Sequence, residues 1–124
     1  NVIYMDELFC DCYSLSSILM SSVKYIGDYA FYKCSSLTVI DLPDVLSIGS
    51  SAFEYCYSLR YIRFSSITSI GNYAFYGCSR LSSVTINTST VPSIGLGIFD
   101  YTPMTASSYT GGYGYIYVKS SLYN

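Results

Sequence analysis

The apolar positions of this chain repeat as a long phrase, on neither a helical nor a strand period. Ile48-Gly49, Ala52-Phe53, Cys56, Leu59 and Ile62 have counterparts 22 residues upstream at Ile26-Gly27, Ala30-Phe31, Cys34, Leu37 and Ile40. The same step downstream lands on Ile70-Gly71, Ala74-Phe75, Cys78, Leu81 and Val84. A fainter copy, Leu8-Phe9, Cys12, Leu15 and Ile18, opens the chain. A period of this length is the mark of stacked coils, in which each unit buries its apolar face only against its neighbours.

Local alternation predicts what each coil contains. Cys34-x-x-Leu37-x-x-Ile40-x-Leu42 fits the leucine-rich-repeat template, with a short strand placing Ile40 and Leu42 inward and Val39 and Asp41 outward. Ile62 and Phe64, then Val84 and Ile86, repeat the inward pair, so the strands are expected side by side, parallel and about 4.8 Å apart. Leu46-Ser47-Ile48 and Thr68-Ser69-Ile70 read as brief second strands with Ile48 and Ile70 inward. Gly27, Gly49 and Gly71 then offer positions free to take positive φ at a turn. Asp28-Tyr29-Ala30-Phe31 and its copies read as one short helical turn. Phe31, Phe53 and Phe75 fill the middle of the coils as structural residues.

The linked phrase IGxxAFxxCxxLxxI resembles the BspA-like leucine-rich-repeat family of surface proteins from bacteria and some protists. The likeness covers residues 8 to about 99. Two features depart from it: the proline after the first strand survives only as Pro43, with Ser21 and Ser65 at the equivalent sites, and the units are about one residue shorter than the family's commonest length. The resemblance implies a repeat solenoid, with a parallel β-sheet on one face and short strands and helical turns on the other. It also implies a place in an extracellular or cell-surface adhesin.

After Ile86 the pattern loosens. Ile70 to Ile94 is 24 residues, and the cysteine position falls on Thr102, followed by Pro103. Residues 113–118 alternate as one last strand, similar to the closing strand of that family. The organisation expected is therefore an array of about 4.5 coils over residues 1–99 and a cap over residues 100–124, with its strand near 115–118.

Cys12, Cys34, Cys56 and Cys78 share one column. Stacked Cα atoms about 5 Å apart fall inside the disulfide window, but parallel inward side chains favour buried free thiols, a common state of cysteine. Disulfide rungs are the alternative. Cys10 has no partner that the sequence identifies. A metal site lacks support, with no histidine and no paired CxxC spacing.

Composition narrows the function. Of the 124 residues 51% are hydrophobic and 11% charged, and the net charge of −2 provides no basic stripe to displace counterions from nucleic acid. No apolar run approaches the roughly 20 residues that span a bilayer, and no secretory leader opens the sequence. The chain begins at Asn1 inside a degenerate repeat, so it reads as a piece of something longer. Without histidine there is no Ser-His or Cys-His nucleophile pair. Gly111-Gly112-Tyr113-Gly114 lacks the strand-loop-helix setting and lysine of a phosphate loop. No cofactor and no enzymatic activity are expected.

What remains is surface. The outward columns of the first sheet read Ser17, Val39, Tyr61, Ser83 and Leu19, Asp41, Arg63, Thr85. Tyr115 and Tyr117 of the last strand extend the same face. Asp41 and Arg63 fall on neighbouring strands, as a surface ion pair or as part of a recognition patch. The chain holds 16 tyrosines with many serines and few charges, a make-up suited to adaptable binding surfaces. Tyr29, Tyr32, Tyr55, Tyr73 and Tyr76 read as decoration around the Ala-Phe pairs. The function expected is non-enzymatic binding of a protein or glycan through Val39, Asp41, Tyr61, Arg63, Thr85, Tyr115 and Tyr117. The competing expectation is a spacer or assembly part of a larger surface fibre or particle.

Overall fold

Parallel pairing in a 22-residue register turns the repeat into a stack. The computed structural model describes residues 6–88 and 90–103, together with the backbone of a strand at 115–118. Among these residues lie nine short strands: β1 Ser17–Leu19, β2 Tyr25–Ile26, β3 Val39–Asp41, β4 Ser47–Ile48, β5 Tyr61–Phe64, β6 Ser69–Ile70, β7 Ser83–Ile86, β8 Ser93–Ile94 and β9 Tyr115–Val118. Odd-numbered strands form the first face, where β1 pairs with β3 and β5 with β7 and then β9, all parallel. The two-residue strands form the second face in the order β2-β4-β6-β8, also parallel. Ser17 meets Val39 and Tyr61 meets Ser83, each one repeat apart.

Alternation sorts the side chains as expected. Ile40, Leu42, Ile62, Phe64, Val84 and Ile86 are buried, as are Ile26, Ile48 and Ile70 from the second face. Between the faces the phenylalanines stack ring on ring. Phe9, Phe31, Phe53 and Phe75 follow one another at centroid separations of 5.2, 5.0 and 5.3 Å, with planes within 13° of parallel. Phe99 continues the column at 5.9 Å. The ends are less dry: Leu8 is 60% exposed and Ile94 51%.

The Ala-Phe segments are not helical. Residues 29, 31 and 33 spend their N–H groups on the next coil, donating to the carbonyls of Ser50, Ala52 and Glu54 at 2.7–3.0 Å. That pattern repeats from Ser51, Phe53 and Tyr55 to Asn72, Ala74 and Tyr76. An N–H bonded between coils is lost to an i→i−4 helical bond, so the segment becomes a third intercoil ladder. The sharp turns are made by left-handed residues in two columns. One holds Glu7, Tyr29, Ser51, Tyr73 and Gly97, and the other Asp11, Lys33, Tyr55, Gly77 and Tyr101, all with φ of 52–70°.

Gly27, Gly49 and Gly71 do not adopt the positive φ expected of them, and the last two show what glycine does here instead. A Cβ on Gly49 would sit 2.6 Å from both the Asp28 nitrogen and the Gly27 carbonyl carbon. On Gly71 it would sit 2.6 Å from the Ser50 nitrogen. Glycine is needed here because one coil's backbone lies directly on the next.

Candidate interaction faces

The outward columns of the first face stand where alternation puts them. Leu19 is 82% exposed, Tyr61 54% and Val39 40%, and Asp41 and Arg63 are exposed as well. Thr85 is half-buried on β7. The backbone register sets Tyr115 beside Ser83 and Tyr117 beside Thr85. The side chains of Tyr115 and Tyr117, and the loop Gly111-Gly112-Tyr113-Gly114, lie outside the described residues.

This face carries a seam that the repeat did not announce. β3 and β5 lie side by side, yet no ladder joins them. Thr38 N–H donates to the Ser16 carbonyl and Ser82 N–H to the Arg60 carbonyl, both at 2.9 Å. The corresponding bond from Arg60 to Thr38 is absent among the described residues. Over the seam opens a cleft of about 320 Å³ lined by Leu19, Val39, Ile40, Asp41, Tyr61 and Arg63. Asp41 and Arg63 do not form the ion pair considered for them. Among the described residues the pair within reach is Lys24–Asp44 at 3.9 Å, half-exposed and worth about 0–1 kcal/mol. Asp44, next to Pro43, is therefore tied to the neighbouring coil.

The cysteine column is a set of hydrogen-bonded free thiols. Cys34, Cys56 and Cys78 are fully buried. Their Sγ–H groups donate to the Phe9, Phe31 and Phe53 carbonyls of the preceding coil at 3.0, 3.1 and 3.0 Å. Those carbonyls also accept the N–H of Cys12, Cys34 and Cys56, so each thiol adds a second bond to an already bonded oxygen. Burial, reinforced by Cys56, pushes the Cys34 thiol up to about 12. Burial also raises Cys56, and the neighbouring Cys78 thiol adds to the rise. Such thiols are neutral and unreactive. Cys12, in the first coil, is half-buried, and Cys10 points its thiol at an Asp11 carboxylate oxygen 3.6 Å away. Thr102, at the cysteine position of the last coil, donates instead to the Phe99 carbonyl of its own coil at 2.6 Å.

The tyrosines around the Ala-Phe turns are more than scattered decoration. Tyr29–Tyr32, Tyr32–Tyr55, Tyr55–Tyr76, Tyr73–Tyr76 and Tyr76–Tyr101 meet edge to face with centroids 5.1–5.9 Å apart. They form a continuous aromatic band along one flank. The signal was present in the 22-residue recurrence of tyrosine beside Ala-Phe. Among the described residues no cluster of three or more His, Cys, Asp or Glu could hold a metal, and no helix is long and apolar enough to cross a membrane.

Two parallel faces, a buried column of hydrogen-bonded cysteines and a phenylalanine spine define a leucine-rich-repeat solenoid. The sequence matches the BspA type leucine rich repeat region in 6 copies over residues 3–120, and the chain belongs to that family. It is similar in structure to a leucine-rich repeat protein from Bacteroides ovatus ATCC 8483, with TM-score 0.72 and 24% identity over 93% of this chain and 34% of that one. A leucine rich cell surface protein from Faecalibacterium prausnitzii A2-165 gives TM-score 0.66 and 28% identity over 98% and 31%. A leucine rich repeat protein of T. pallidum gives 0.57 and 23% over 92% and 77%. No curated protein matches the chain. The chain spans about a third of the length of the Bacteroides and Faecalibacterium proteins.

Proposed function

We propose that this solenoid is a non-enzymatic interaction module that binds a protein or glycan through its first sheet face, within a surface or secreted adhesin-like protein. The observation that carries the reading is the cleft at the seam. It combines an apolar floor from Val39 and Ile40 with a tyrosine, an arginine and an aspartate not engaged with each other. Tyrosine and arginine are the residue types over-represented among binding hot spots. The stack fixes their backbone positions, so the ordering cost of binding is reduced to that of the exposed side chains themselves. The likeness to a Faecalibacterium protein described as cell-surface supports the setting.

The test is a double variant, Tyr61→Ala with Arg63→Ala, screened against immobilised extracellular-matrix proteins and a glycan array. Wild type should bind at least one component, and the variant should lose that binding while its melting temperature stays within about 2 °C, as expected for surface substitutions. Unaltered binding would favour a spacer role for this face.

A further inference from the structure

The aromatic band contains a second cleft, on the flank and separate from the sheet face. Its volume is about 290 Å³, and its lining is Tyr55, Tyr57, Tyr76, Gly77, Ser79 and Tyr101. The column Asp11, Lys33, Tyr55, Gly77, Tyr101 explains why it exists. Every other coil places a side chain at this left-handed turn, whereas Gly77 places none. The Tyr55 ring leans into the gap, where a Cβ on Gly77 would come within 2.6 Å of it. Gly77 is buried and forms the floor, and the rings of Tyr55, Tyr76 and Tyr101 rise around it. Tyr57 is 46% exposed and Tyr101 73%.

We propose that this tyrosine cleft binds a neutral saccharide ring. Three observations select that chemistry. No lining residue is charged, so nothing in the cleft compensates a charged ligand, which would lose its hydration on entry. The rings meet edge to face, at 66° for Tyr76–Tyr101 and 80° for Tyr55–Tyr76, so neighbouring ring faces turn in different directions. An aromatic face is the negative side of the ring quadrupole and attracts the polarised C–H groups on the flat side of a pyranose. The phenol groups and the Ser79 hydroxyl supply donors and acceptors for sugar hydroxyls around that apolar surface. Partial burial and, next, the Glu54 carboxylate raise the Tyr55 phenol, while partial burial and then Tyr101 raise Tyr76. A tyrosine phenol is protonated at neutral pH in any case, and these shifts only widen that margin, so both can donate. The volume sits at the small end for ligand sites and suits one ring of a longer chain.

The experiment is a titration of the intact protein, followed by tyrosine fluorescence and proton NMR. The probes are neutral hexaoses of glucose, mannose, galactose and N-acetylglucosamine, with a sulfated oligosaccharide and a polyproline peptide as contrasts. At least one neutral hexaose should bind with a dissociation constant of about 1 mM or tighter. Tyr57→Ala and Tyr101→Asn should each weaken it about tenfold or more. Asparagine is chosen because it tolerates the left-handed backbone at 101. The Tyr61→Ala/Arg63→Ala variant should bind the same sugar normally, which separates this site from the sheet face. Failure of every neutral hexaose, binding only of the sulfated or polyproline probe, or sugar binding unchanged by both flank variants would overturn the proposal.

Discussion

Phe53 shows what a single residue contributes to this stack. It lies between Phe31 and Phe75 with nearly parallel rings on both sides and no exposure. Phe53→Ala should destabilise by about 3–5 kcal/mol in urea unfolding, because the coils above and below are held apart by backbone bonds and cannot collapse into the void. Phe9→Ala, at a half-buried position with one ring neighbour among the described residues, should cost clearly less in the same measurement. Cys34 gives a prediction with a sign. Its folded value of about 12 stands above the ordinary 9.0, so the unfolded chain releases this proton first as pH rises. The stabilisation is whole below pH 9.0 and fades as pH climbs toward about 12. Melting temperatures recorded across that window should fall, and the fall should be shallower in Cys34→Ala.

The joints between coils belong to the scale of the element. Glycine-to-alanine changes often stabilise by about 0.4–1 kcal/mol through the unfolded chain. Gly49→Ala should reverse that sign and lower the melting temperature, since its Cβ would meet Asp28 and Gly27 backbone atoms that cannot swing aside. The seam makes a second prediction. In native-state hydrogen exchange the Arg60 amide, without its bond to Thr38, should exchange faster than the Ser82 amide, bonded at 2.9 Å to Arg60. The strands were legible in the sequence because alternation and a 22-residue register each fix which face a residue takes. The helical turn was not. An Asp-Tyr-Ala-Phe segment has no local signal that its N–H groups will bond to the next coil, and non-glycine residues such as Tyr29 and Lys33 hide the left-handed turns.

For the whole molecule, the repeat fixed the order of strands, the phenylalanine spine and the buried thiols, because each follows from like residues lying over like. The outward columns Val39, Asp41, Tyr61 and Arg63 were legible as a face for the same reason. Their gathering around a cleft was not, since it depends on an interruption between β3 and β5 that no residue pattern marks. The tyrosine cleft was equally hidden. It requires noticing that one glycine, Gly77, interrupts a column of side chains contributed by successive coils.

The contact of Gly49 and Gly71 with the coil beneath has a consequence for how such a protein changes over generations. Each joint is made of main-chain atoms and differs little from the next, so the coils are interchangeable parts. Duplication or deletion of a complete unit leaves both new neighbours with the surface they had before, and a small gain is taken up in a connecting loop: the step from Ile70 to Ile94 holds two extra residues, yet Gly95 rests on Gly71 as Gly71 rests on Gly49. Length in this architecture is therefore free to drift while the stacked cross-section stays constant, and novelty is concentrated in the connecting loops and the outward positions of individual coils.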